Sequence, residues 1–185
     1  MTQDTDSYAA YAQGSFAFND QLSGILGLRY TRDEKDFTVQ SLRLRTPIEL
    51  LPYSEQSGSW TDTSFRTGLD FRWTDDVLVY FSVAEGFKSG GFNGRARNVG
   101  ELEGYDPETI LSYEIGMKSE WLDHRLRLNL AAFYSDYEDV QLTEQHVDPA
   151  TLLQTIVTQN AGDAEIKGFE VELEAMSFRN HYPHQ

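Results

Sequence analysis

The chain contains no cysteine, and only 15 basic residues stand against 30 acidic ones in its 185 positions. The first absence excludes a disulfide framework, a zinc-thiolate site and a thiol nucleophile. The second leaves a formal net charge of −15. That field repels polyanions, so a nucleic-acid partner is not expected. Also missing is any apolar run near the roughly 20 residues that a membrane helix needs. The opening MTQDTDSYAAYAQ lacks the basic and apolar regions of a signal peptide, and no stretch carries a convincing amphipathic-helix pattern. These absences alone describe a soluble cytoplasmic protein. The 13% aromatic content and the patterning of the chain argue otherwise.

Period-two alternation recurs along the sequence. In TSFRTGLDFRW (63–73), Phe65, Leu69, Phe71 and Trp73 share one parity, while Arg66, Asp70 and Arg72 share the other. This is the signature of a two-faced strand. LSYEIGMKSEW (111–121) repeats it, with Tyr113, Ile115 and Met117 against Glu114, Lys118 and Glu120. Leu126, Leu128 and Leu130 then oppose Arg125 and Arg127, and Phe169, Val171 and Leu173 oppose Glu170, Glu172 and Glu174. Weaker alternation runs over 7–18 and 21–31, and VLVYFSVA (77–84) is apolar on both parities, leaving its facing open. The pattern predicts about seven strands. Tight turns are expected near 19–20, 74–76 and 122–124, where Asn and Asp sit in positions they favour. Long polar stretches follow at about 32–59, 85–108 and 137–162. Ten-residue strands with short turns at one end and long loops at the other describe an outer-membrane barrel wall. Phe18, Trp73 and Trp121 lie beside the short turns, where an interfacial aromatic belt belongs. A soluble sandwich or lipocalin-like barrel also alternates. It would need a second layer to cover Phe65, Leu69 and Phe71.

VYFSVAEGFKSGGFNGR, followed by YDPETILSYEIGMKSEWLDHRLRLNLAAFYSDYEDVQLTE, resembles the barrel of TonB-dependent outer-membrane receptors, most of all those of iron-complex uptake. SYAAYAQGSFAFNDQLSGILGLRYTRDEKDF resembles an upstream hairpin and NAGDAEIKGFEVELE a downstream strand, so the likeness spans about residues 7–175. The resemblance implies an all-β antiparallel up-and-down meander. It would be a fragment of a 22-stranded transmembrane barrel, with short periplasmic turns, long extracellular loops and an N-terminal plug. Residues 1–176 are then expected to be a partial barrel. Residues 177–185, SFRNHYPHQ, depart from the pattern as a truncated or frame-shifted tail. An open sheet in lipid leaves about ten unpaired backbone groups on each edge, each costing several kcal/mol, so the chain alone is not expected to insert.

The resemblance also implies roles for residues. Phe65, Leu69, Phe71, Tyr113, Ile115, Met117, Leu126, Leu128 and Leu130 would face lipid. Arg66, Asp70, Arg72, Glu114, Lys118 and Arg127 would line a polar lumen occupied by the plug. Implied partners are outer-membrane lipid, the plug, the TonB energy-coupling complex and a ferric siderophore or similar scarce nutrient. EGFKSGGFNGR (85–95) meets neither the phosphate-loop pattern, since Lys88 precedes Gly90-Gly91, nor the GxSxG elbow. Its glycines instead fit a backbone that bends and is closely approached. Lys88, Arg95 and Arg97 form a basic cluster on an acidic chain and are the candidate binding residues for an anionic ligand. Asp136, Glu138 and Asp139 lack the spacing and glycine turn of an oxygen-ligand loop. His181 and His184 could pair on a metal but sit in the departing tail and are read as incidental. His124, in a tight turn, and His146, in a long loop, have no assignable partners. No catalytic constellation, metal site or cofactor is expected, and the reading is of a receptor, not an enzyme. The alternative is a soluble or surface-exposed β-sheet binding or adhesion protein without transport.

Overall fold

The computed structural model describes residues 1–43, 48–147 and 154–176. The tail at 177–185, with His181 and His184, lies outside them. Seven strands form one antiparallel sheet: β1 (Thr2–Ala17), β2 (Leu22–Arg43), β3 (Ile48–Thr74), β4 (Val77–Lys88), β5 (Glu108–Trp121), β6 (Leu126–Glu138) and β9 (Ala164–Ala175). Their spatial order is β1-β2-β3-β4-β5-β6-β9. The two remaining strands, β7 (Gln141–Val147) and β8 (Gln154–Asn160), make a separate hairpin inserted between β6 and β9. This is the expected meander of seven sheet strands.

The short turns fall where Asn and Asp predicted them. Asn19 closes the β1–β2 turn by accepting the amides of Gln21 at 2.9 Å and Leu22 at 2.8 Å through Oδ1. The β5–β6 turn takes Leu122, Asp123 and His124 into the left-handed region, with φ of 58°, 55° and 63°. Such turns match the twist of the strands they join.

The register settles which side chains share a face. Leu22, Phe71, Val79, Met117, Leu130 and Val171 stand opposite one another across six strands, as do Leu69, Phe81, Ile115, Ala132 and Phe169 across five. With the period of two, Phe65, Tyr113, Leu126 and Leu128 join this apolar face. Arg72, Leu78, Lys118, Asn129 and Glu172 form a row on the other face. Arg66, Asp70, Glu114 and Arg127 belong there too. The facing of β4, open from its sequence, follows from its partners. Polar-face charges pair across strands: Arg127 reaches Glu120 at 3.0 Å and Glu174 at 3.1 Å, and Asn129 donates to Glu172 at 2.8 Å. Aromatic rings on this face lie over glycines of the next strand, Tyr80 over Gly116 and Phe133 over Gly168. A ring shields the bare backbone that glycine leaves, one way in which a sheet fixes its register.

The apolar face has no covering layer among the described residues: Leu69 is 48% exposed and Ile115 56%. The second layer that a soluble sandwich needs over Phe65, Leu69 and Phe71 is therefore absent there.

One expectation needs correction. The stretch 32–59 does not form a long loop; β2 continues to Arg43 and β3 begins at Ile48, paired through most of that length. The extension escapes periodicity because DEKDF and YSEQSGS carry polar residues on both parities. The buried apolar residues there, Phe37, Val39 and Leu51, are too few and too scattered to set up an alternation over the stretch. The stretch 137–162 likewise contains the β7–β8 hairpin.

Candidate functional site

The buried apolar cluster of the described residues lies at the end of the sheet away from the short turns, on its polar side. Phe37 and Val39 of β2 and Leu51 of β3 pack against Ala96 and Leu102 of the 89–107 segment, with Phe92 beside them. Phe92 stacks on Phe37 with ring centroids 5.8 Å apart and tilts against Trp60 at the same separation. The glycine-rich stretch thus leaves β4 and folds back over the extended β2–β3 hairpin.

Its glycines have a steric cause. A Cβ on Gly90 would run into the carbonyl oxygen of Tyr105 and the indole of Trp60. Gly91 exchanges backbone hydrogen bonds with Tyr105 at 3.0 and 2.9 Å. Both are close approaches of backbone to backbone, which glycine permits. Lys35 of β2 locks the fold-back: its Nζ donates to the Gly90 carbonyl at 2.6 Å and lies 5.4 Å from the Trp60 ring centroid. Burial pulls its pKa below the ordinary lysine value, Asp33 opposes this, and Lys88 adds to the lowering.

Within the segment a short 3-10 turn, Val99–Leu102, is capped by Asn98, whose side chain accepts the Glu101 amide at 3.1 Å. The buried Glu101 carboxylate accepts from the Arg97 amide at 2.7 Å and from Asn98 Nδ2 at 2.6 Å. Three carboxamides then join the segment to the β7–β8 hairpin. Asn93 bonds Thr158, Asn160 bonds Asp106, and Gln141 Nε2 donates to the carbonyls of Ser89 and Asp106.

The candidate cations do not converge as a trio. Arg95 and Arg97 line one cavity of about 450 Å³ with Gln145, Gln154 and Ile156, between the segment and the hairpin. Lys88, at the end of β4, faces Glu108 at 3.5 Å and is no part of that cavity. Asn93 itself lines a second cavity of about 470 Å³, together with Glu101, Glu103 and Glu144. Sequence reasoning missed Lys35, Trp60, Asn93, Gln141 and Asn160. Only Trp60 carried a signal, a large aromatic at an even position of β3 among polar-parity residues. Among the described residues no group of three or more His, Asp or Glu side chains is arranged to hold a metal ion.

Comparisons with known proteins agree with this geometry. The family model described as TonB dependent receptor-like, beta-barrel matches residues 1–182. The metal-pseudopaline receptor CntO of Pseudomonas aeruginosa is 27% identical over 179 residues, which is 92% of this chain and 22% of that protein. The pesticin receptor of Yersinia pestis is 27% identical over 168 residues, 90% of this chain and 23% of the relative. Among solved structures, the ferric yersiniabactin uptake receptor FyuA from Yersinia pestis superposes with a TM-score of 0.75 at 23% identity, over 92% of this chain and 24% of that one. The siderophore receptor PiuA from Acinetobacter baumannii gives 0.71 at 21%, over 94% and 23%. The chain therefore spans less than a quarter of the length of these relatives. With a family match over nearly its whole length, it belongs to the TonB-dependent receptors, as a stretch of their outer-membrane β-barrel.

Proposed function

We propose that the protein containing this chain is an outer-membrane receptor that imports a scarce nutrient as a metal chelate, a ferric siderophore or a similar complex. Energy for import comes through TonB. The observation that carries this reading is the uncovered apolar face of a sheet whose sequence matches the receptor barrel throughout. Relatives named for siderophores and metal complexes support the ligand class. In this reading Phe65, Leu69, Phe71, Tyr113, Ile115, Met117, Leu126, Leu128 and Leu130 meet lipid. Arg66, Asp70, Arg72, Glu114, Lys118 and Arg127 meet the plug. Further strands pair with the free edges of β1 and β9 and close a barrel of about 22 strands, since lipid tolerates no open edge. The wall performs no chemistry. Arg95 and Arg97, and Lys88 from its separate place at the end of β4, draw in an anionic chelate by long-range attraction.

The test uses the intact receptor in a host stripped of its own chelate receptors. Uptake of radiolabelled iron from a panel of ferric chelates is expected for at least one of them, and only while TonB is present. Iron uptake that is equal with and without TonB, or no uptake from any chelate, overturns the reading. In the purified receptor, changing Lys88, Arg95 and Arg97 together to alanine is expected to slow association more than it speeds dissociation. That loss should shrink as salt rises, because such attraction is screened over about 8 Å at physiological ionic strength. Equal association rates would reduce the three cations to loop solvation.

A further inference from the structure

We propose that Asn93 is the positioning residue that gives the Arg95/Arg97 cavity its shape, and that this cavity takes the anionic, oxygen-rich part of a ligand. The ligand half of this rests on the receptor reading above; the positioning half does not.

Asn93 is 6% exposed. Its Nδ2 donates to the carbonyls of Glu103 at 3.1 Å and Thr158 at 3.2 Å, and its Oδ1 accepts the Thr158 amide at 2.7 Å. Both N–H groups and one acceptor site are thus used. The carboxamide engages the amide and carbonyl of Thr158 as the backbone of a neighbouring strand would. Asn93 opens a tight turn, closed by the Ala96 amide donating to the Asn93 carbonyl at 3.2 Å, with Arg95 inside the turn and Arg97 just past it. Ile156 and Gln154 precede Thr158 along β8. Both arginines, Ile156 and Gln154, with Gln145, line the cavity. The Asn93–Thr158 bonds therefore tie the start of the turn that carries the arginines to β8, the strand that supplies Gln154 and Ile156.

The base of the hairpin is held separately. β6 and β9 bend into it at Asp139 and Gly162, with φ of 54° and 108°. There the Val140 amide donates to the Gly162 carbonyl at 2.8 Å, and Asn160 Nδ2 to the Asp139 carbonyl at 2.7 Å. Removing the Asn93 pin leaves this bend intact, so the hairpin would pivot on it. Charge gives the ligand class. The lining of the cavity has two guanidiniums, two carboxamides and no carboxylate. The carboxylates Glu101, Glu103 and Glu144 gather instead in the separate cavity that Asn93 and Thr158 line. Guanidinium forks suit carboxylate-type oxygens.

The experiment uses the intact receptor with spin labels on Val99→Cys and Val147→Cys, and two ligand probes: ferric citrate, which is anionic, and a neutral ferric trihydroxamate. Asn93→Leu should broaden the distance distribution between the labels and weaken ferric citrate binding at least fivefold. Arg95→Ala with Arg97→Ala should weaken ferric citrate binding at least tenfold and the neutral chelate less than twofold, with the distance distribution unchanged. Asn93→Asp, which keeps the acceptor for the Thr158 amide but loses both donors, should fall between parent and Asn93→Leu. It decides the matter if the leucine variant does not assemble. A distribution as narrow as the parent's in the Asn93 variants overturns the positioning role. Unchanged ferric citrate affinity in the arginine variant, or no binding of ferric citrate by the parent, overturns the ligand class. Failure of the receptor reading would show separately as absence of chelate uptake, with the label distances still readable.

Discussion

Near the short turns, the strands carry apolar side chains on one face and paired charges on the other, and Leu26, Leu28 and Ile115 stay exposed. At the far end, β2 and β3 run on without a matching apolar face, yet Phe37 and Leu51 are almost fully buried there, at 1% and 0% exposure. The wall is therefore built by ladders, register and the solvent it will meet, and the far end by a small core and fixed polar bonds. In such a molecule, stability at one end need not depend on stability at the other, since local openings follow local contacts.

The largest effect should come from emptying the core. Phe37→Ala removes the ring on which Phe92 stacks and should cost about 3–5 kcal/mol locally. Hydrogen exchange in the intact receptor is expected to show lost protection over 89–107 and unchanged protection in β5 and β6. Lost protection in both would mean that the two ends form one cooperative unit. The converse change is Leu28→Arg, on the apolar face between Ala12 and Phe65. A charge near the bilayer midplane should cost roughly 2–4 kcal/mol. Folding titrations into lipid vesicles should show it, whereas a change at Arg29, on the opposite face, should not. Equal cost at both positions would break the assignment of faces.

How much of this was legible depended on what each stretch had to satisfy. Residues 63–73 carry apolar side chains on one face and charged ones on the other, so their parity reads directly from the sequence. In residues 48–59 of the same strand a single core contact, Leu51, replaces a repeating one, so their extended pairing with β2 was invisible. The basic cluster illustrates a different limit. Lys88 and Arg95 are neighbours in sequence, but the chain folds back between them at Gly90 and Gly91, so the trio splits. Asn93 was hidden because a buried amide is recognised by its partners, and Thr158 lies 65 residues away.

A smaller break in the comparison is available at the fold-back itself. Gly90→Ala places a methyl group against the Tyr105 carbonyl and Trp60, and backbone yields poorly. Overpacking of this kind should cost about 1–3 kcal/mol. Gly14→Ala in β1, where a Cβ meets no atom within 4 Å, should be nearly silent. Thermal melts of the two variants in the same detergent would compare them. Similar losses would mean that glycine is retained at both sites for reasons other than contact.

The smallest expected effect is electrostatic and lies at the wall's turn. His124 shares a hydrogen bond with the Glu120 carboxylate, which raises its pKa above the ordinary 6.5, with Asp76 and Asp123 adding to the effect. The folded state therefore holds this proton more tightly than the unfolded chain does. Its stabilisation is fully present below pH 6.5 and is lost as pH rises through the higher folded value. The side chain is 70% exposed, so solvent screening keeps the contribution small. Replacing His124 with Gln removes the titration. The melting temperature of the parent relative to His124→Gln should be highest at pH 5.5 and should decline toward pH 8.5, and the decline should weaken in high salt. A parent-minus-variant difference that is flat across this range, or that grows with pH, would show that Glu120 is already committed to Arg127 and gains nothing from the histidine.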